Sequence, residues 1–233
     1  MNRPAKLRWL RRSAFQISLA ILAILAWLQM TVQHEFMPPL LIADSRVVGL
    51  GNDLALGYSA SWIFNVLVVV IPAWTRRRHL RDWLEQRYLD FKDALTKLYL
   101  SLLQQSWNSD LILSLRDPNF FSDYFSENIS PDQTRWHAVH NALYDHGLQE
   151  IRLRCQSFIG DCDLTMGLIG DLDSDFLDLY ARLRDILSFA SIAEANYDDI
   201  KSLLSRLFPL HCPWSILDGE IKPDIVLTSI RGL

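Results

Sequence analysis

The sequence predicts an all-α chain: a two-helix transmembrane hairpin followed by a cytoplasmic helical bundle. Three observations carry that expectation. Two stretches, 13–33 and 54–75, hold no Asp, Glu, Lys or Arg, and a helix needs about 20 apolar residues to cross a hydrocarbon core of about 30 Å. Beyond them, apolar residues recur at spacings of three, four and seven, the periods of an amphipathic helix. Half of the 233 residues are hydrophobic and 21% are charged, which excludes a wholly disordered chain. Nine Gly and nine Pro exclude a collagen-like class, and three Cys are too few for a disulfide scaffold. The formal charge of -4 gives no reason to expect a nucleic-acid partner.

The elements follow in chain order. Residues 1–12 form a basic N-terminus with Arg3, Lys6, Arg8, Arg11 and Arg12 and no acid. Residues 13–33 form transmembrane helix 1. A cleaved signal peptide would start in the same way, but Trp27, Leu28, Gln29 and Met30 are too bulky for a cleavage site, so an uncleaved anchor is expected. Residues 34–53 form an external loop, and 54–75 form transmembrane helix 2. Arg76, Arg77, Arg78 and Arg81 follow the second span, whereas the loop holds one Arg against Glu35, Asp44 and Asp53. Positive charge stays on the cytoplasmic side. This predicts a multi-pass protein of the cell inner membrane with both termini in the cytoplasm. Trp9 and Trp74 sit where an interfacial belt would lie. Arg11, Arg12, Arg76, Arg77, Arg78 and Arg81 form a basic flank able to attract anionic lipid.

Within the second span, Gly57, Ser61 and Asn65 recur at i, i+4 and i+8 and share one helix face. Gly57 and Ser61 make a small-xxx-small pair that lets another backbone approach. Asn65, near the middle of the window, seeks a hydrogen-bond partner at about 1 kcal/mol. The expectation is a packing face, with a polar pore lining as the bolder alternative. Pro72 is expected to kink the helix near its inner end. Gly49-Leu50-Gly51 is not a dinucleotide loop, because Leu54 stands where the third Gly belongs.

Ser59-Ala60-Ser61-Trp62-Ile63-Phe64, followed by Ile71-Pro72 and a basic run, resembles uncharacterised bacterial two-span inner-membrane proteins that carry an S-A-x-I-F…I-P second span. The likeness covers the second span and the start of the following helix. It implies a bacterial inner membrane and hands over no activity, cofactor or catalytic residue.

Residues 76–233 form the cytoplasmic helical domain. They carry 17 Lys and Arg against 24 Asp and Glu, and are numerous enough to bury a core. From Arg76 to about Gln105 there is no Gly or Pro, and Leu80, Leu84, Phe91, Leu95, Leu98 and Leu102 line one side, widened by Trp83, Tyr88 and Tyr99. The stripe is broader than a coiled-coil seam, so packing within the domain is expected. Asp117-Pro118-Asn119 then opens a loop rich in aromatic residues. Ser130-Pro131-Asp132-Gln133 reads as a capped helix start, ending before Gly147. Further helices are expected over Leu148–Phe158, stopping near Gly160, over Asp175–Phe189, and from an Asn196 cap through Leu207 to a stop at Pro209. The tail from His211 reads as irregular, with a strand-like run at Ile225–Leu227. The sum is a bundle of about five helices. Asn128-Ile129-Ser130 matches a glycosylation sequon, but the Ser130 cap explains it better.

No complete catalytic motif stands out. Asp171, Asp173 and Asp175 begin like a calcium loop, yet Phe176 replaces the required Gly and Arg182 the final Glu. Acids at the start of the following helix are the simpler reading. His137, His140, His146, His211, Cys155, Cys162 and Cys212 show no zinc spacing. No catalytic residue, metal ligand or cofactor is therefore assigned. The expected role is anchoring, sensing or scaffolding through protein contacts, with the lipid bilayer and a homo-oligomer or protein partner. An oligomerising membrane effector and a membrane-tethered metalloenzyme are the alternatives.

Overall fold

The computed structural model describes residues 45–169, 174–213 and 221–233, and the chain divides into two compact units, residues 1–76 and 77–233. Among the described residues it is all-α apart from one two-stranded hairpin.

The first unit contains helix α1 (Ser45–Asn65) and a π-helical segment (Val66–Val70), and α2 (Ile71–Leu102) begins at its end. The expected first span, with Arg11 and Arg12, lies outside the described residues. α1 opens ahead of Leu54, so Gly49-Leu50-Gly51 and Asp53 are helical. Among the described residues, one helix, Leu56–Leu102, includes a stretch long and apolar enough to cross a membrane. The π segment has a local cause. Pro72 has no N–H, and its ring presses on the carbonyl four residues back, which belongs to Val68. Widening the turn just before the proline moves that carbonyl away. The Ile71 N–H accordingly donates to the Val66 carbonyl, five residues back.

In the second unit, α2 buries Leu84, Tyr88, Phe91, Leu95 and Tyr99 against its own domain, following the stripe read from the sequence. Trp83 is exposed and does not join that face. Gln104, the one non-glycine residue with positive φ among the described residues (55°), ends the run. A short helix α3 (Ser109–Ser114) follows, capped by the Asn108 side chain.

The expected aromatic loop is a helix, α4 (Pro118–Ser126). The Asp117 carboxylate accepts from the N–H groups of Asn119 and Phe120, and Pro118 fills the first turn, where no N–H is needed. Ser130 is not a helix cap. Asn128–Ser130 (β1) pairs antiparallel with Gln133–Thr134 (β2), Asn128 opposite Thr134, so Pro131-Asp132 forms the turn. Thr134 is the cap of α5 (Arg135–Ala142), accepting from His137 N–H at 3.2 Å.

Gly147 and Gly160 do not end helices; both lie inside α6 (Asp145–Ile169). Gly147 is buried where a Cβ would meet the end of the Leu143 side chain at 2.6 Å, so a larger residue there requires that side chain to shift. α7 (Ser174–Ile192) ends on Arg152 of α6, whose guanidinium donates to the carbonyls of Ala190, at 3.0 Å, and Ala193. Asn196 caps α8 (Tyr197–His211) as expected, accepting from Asp199 N–H at 2.8 Å. α8 continues through Pro209, past the expected stop. The strand-like run is helical, α9 (Ile225–Gly232), capped by Asp224. The expected bundle of about five helices is thus α2 to α9, because caps at Asp117 and Asp224 start helices where a loop and a strand-like run were read, and Asn108 caps a short helix in the break after α2.

Rings fill one end of the core. Phe121 stacks on His211 with centroids 4.6 Å apart, and Tyr99 meets Trp136 edge-on at 5.2 Å.

Candidate functional site

Two arrangements bear on function, one in each unit. In the first, Gly57, Ser61 and Asn65 lie on α1 and are all exposed, and a Cβ added at Gly57 would meet nothing within 4 Å. Around them Leu56, Ile63, Phe64, Leu67, Val68 and Val69 are exposed as well. A soluble surface does not carry so dense a run of exposed aliphatic side chains. A bilayer would accept it without penalty.

The basic residues Arg76, Arg77, Arg78 and Arg81 occupy the first turns of α2. Asp82 shares in this cluster. It accepts from Arg81 at 2.8 Å and lies 3.9 Å from Arg78. The patch is therefore less positive than its arginines alone imply.

The second arrangement is a buried polar node that sequence reasoning missed. Lys92 of α2 places its ammonium 3.0 Å from the Asp224 carboxylate, with side chains only 6% and 11% exposed. The Tyr88 hydroxyl, one turn earlier, donates to the same carboxylate at 3.0 Å and reaches the Leu210 carbonyl at 3.4 Å. Asp224 also accepts from Leu227 N–H at 3.0 Å, so one carboxylate caps α9 and fixes it to α2. Val226 and Ile230 insert beside Leu84, Phe158, Phe176, Tyr180 and Leu183, and Arg231 pairs with Glu85 at 2.7 Å. Burial, with the Asp224 charge behind it, pushes the Tyr88 hydroxyl well above its usual range and keeps it neutral. The sequence held two signals: Lys92 interrupts an apolar stripe, and Asp224 directly precedes an apolar helical run.

His211, at the end of α8, adjoins this node. It is 1% exposed, and neither ring nitrogen has a hydrogen-bond partner among the described residues. The Tyr99 hydroxyl beside it also has none. Burial, and secondly the Lys92 charge, drive the His211 imidazole well below its usual range. It is neutral at pH 7.

The remaining His and Cys residues do not converge. His137 and His140 have ring centroids 6.4 Å apart, and His146 lies on an open groove. No group of three His, Cys, Asp or Glu side chains stands together for a metal among the described residues. Cys155, Cys162 and Cys212 are free, buried thiols, and burial pushes Cys155 and Cys162 up to about 12. Asp171 and Asp173 lie outside the described residues. Asp161 instead pairs with Arg87 at 2.7 Å, and Asp163 accepts from the Tyr180 hydroxyl at 2.5 Å.

The groove, about 580 Å³, runs between α2 and α6 past Trp107. Several of its charges have partners. Arg116 holds Asp93 by two hydrogen bonds of 3.0 and 2.8 Å, Arg154 holds Glu150 at 2.8 Å, and Lys97 lies over the Trp107 ring at 5.4 Å. No family model, curated protein or solved structure matches the chain.

Proposed function

We propose that this chain is a two-span protein of the inner membrane whose cytoplasmic helical domain anchors, senses or scaffolds through protein contacts. One observation carries the reading: the charge-free stretch 54–75 is helical and leaves Leu54, Leu56, Ile63, Leu67, Val68, Val69, Val70 and Ile71 exposed. The charge pattern supports the topology, because basic residues flank both charge-free stretches on the sides away from the loop. The second unit supports a binding role over catalysis. Its strongest polar cluster is closed to solvent, and several charges of its groove, Asp93, Glu150 and Arg154, already have partners.

Alkaline carbonate extraction tests the anchor. The chain stays with the membrane pellet if the reading is right, and release into the supernatant overturns it. Labelling of Pro39→Cys and Gly232→Cys then tests the topology. In intact cells an impermeant thiol reagent reaches the first and not the second. The reverse pattern overturns the orientation.

A second reading, an oligomerising membrane effector, is favoured by Gly57, Ser61 and Asn65. This small and polar face is exposed among the described residues, and a matching face on a second copy would cover it.

A further inference from the structure

We propose that the groove between α2 and α6 binds a short zwitterionic peptide, about three residues long, with its N-terminal ammonium at Asp90 and its C-terminal carboxylate at Lys97. This rests on the binding role proposed for the second unit and gives that role a ligand class. A Cβ at Gly147 of α6 would lie 3.6 Å from the Leu102 side chain of α2, and Asp161 of α6 pairs with Arg87 of α2, so the two helices run antiparallel. Ser101, Trp107 and His146 therefore stand at one end of the groove and Asp90 at the other.

Partners sort the charges of the groove into two groups. Arg116 holds Asp93 through two hydrogen bonds, and Arg154 holds Glu150. Asp93 stands one turn before Lys97 on α2, the spacing of a helical ion pair, yet Arg116 has taken it. Lys97 is left with the face of the Trp107 ring at 5.4 Å and no carboxylate within 4 Å among the described residues. Asp90 accepts one hydrogen bond, from the neutral Gln86 amide at 2.8 Å. Its charge reaches Arg87 and Arg116, but those guanidiniums are bonded to Asp161 and Asp93. Among the described residues, Asp90 and Lys97 are thus an anion and a cation of the groove without an opposite charge at contact distance.

Their separation sets the ligand. Seven residues apart on α2, they share a face, and their backbones lie about 10 Å apart along the axis. An extended chain of three residues spans about 10 Å between its terminal charges. Equal and opposite groups select a molecule that carries both signs and no net charge. A simple anion meets Asp90 as a repulsive neighbour, and a simple cation meets Lys97. Between the two ends, Ala94 and Leu98 give an apolar floor. Trp107 is 44% exposed and stands outside the hydrophobic core. When the Lys97 ammonium turns to a carboxylate, it releases that ring to the ligand side chain beside the carboxylate. The groove, about 580 Å³, has the size of a small-molecule site.

Isothermal titration calorimetry of the full chain in mild detergent, with detergent alone as the blank, tests this with alanyl-alanyl-phenylalanine as the probe. The free peptide should bind saturably with a Kd of about 1 mM or tighter. N-acetylation and C-amidation of the peptide should each weaken binding roughly fivefold. In Asp90→Asn the acetyl group should no longer matter while the amide still does, and in Lys97→Met the reverse. The proposal is overturned if no saturable binding appears up to about 10 mM, if the doubly capped peptide binds as well as the free one, or if both caps keep their full effect in both variants. The wild-type comparison of free and capped peptides stands even if a variant fails to fold. Carbonate extraction decides the membrane anchor separately, so a failure here strikes the peptide site and leaves the anchor reading standing.

Discussion

Lys92 and Asp224 meet at 3.0 Å across 132 positions of sequence, tying the middle of α2 to the start of α9. Tyr88 donates to the same carboxylate, so three side chains form one buried unit. Removing one member strands the others. Lys92→Met should cost about 3–5 kcal/mol, because Asp224 is left buried without its cation. Denaturant unfolding of the full chain in detergent checks this. Lys92→Met combined with Asp224→Asn should recover part of the loss, since no lone charge then remains. A double variant less stable than either single one would show that the pair is not coupled in this way.

The thiols give a second prediction. Burial holds Cys155 and Cys162 at about 12. At pH 8 only about one in ten thousand of either would be thiolate, the form that attacks maleimides and disulfides. Both should resist modification in the folded chain and react promptly after denaturation. Mass spectrometry after a timed maleimide pulse reads the difference. Fast labelling of either in the native state would contradict the packing of α6.

Arg152 closes the C-terminal end of α7 by donating to Ala190 and Ala193. Arg152→Ala should lower stability by about 2 kcal/mol, and Arg152→Lys should recover only part of it, because an ammonium lacks the guanidinium fork. Thermal unfolding of the three proteins should rank them wild type, Lys, Ala. Equal midpoints for Arg152→Lys and wild type would reduce the contact to a charge at a helix end.

Asn65 shares a face of α1, exposed among the described residues, with Gly57 and Ser61. If that face packs against another helix, Asn65→Leu should weaken association by about 1 kcal/mol, roughly fivefold. Light scattering in detergent at several protein-to-detergent ratios measures it. An unchanged monomer–oligomer balance would count against the effector reading and leave the anchor reading intact.

Much of the helical pattern was legible because its signals are local. Asn196 caps α8 through an N–H three residues away, and the α2 stripe repeats within a few turns. The misread positions are those where a local rule met a competing one. Ser130-Pro131-Asp132-Gln133 satisfies a capping box, but the turn favours Pro131-Asp132, and Thr134 takes the cap. Gly147 looked like a stop, yet it lies buried inside α6, close to the Leu143 side chain. Pro209 sits in the last turn of α8, where a missing N–H interrupts little of the helix that follows. The node of Tyr88, Lys92, Asp224 and His211 was illegible for another reason. Its members are separated by up to 136 positions, and pairing at that range is decided by tertiary packing.

Asp224 is both the cap of α9 and the counter-charge of Lys92, and this gives the molecule an order of construction. A ribosome delivers Lys92 long before Asp224. Through that interval the ammonium must keep its water, and the inner face of α2 near Tyr88 cannot close. The apolar helix ahead of α2 emerges earlier and can enter a bilayer while the domain behind it is still open. Docking of α9 would then expel water from α2 and give α9 its own shape in the same event.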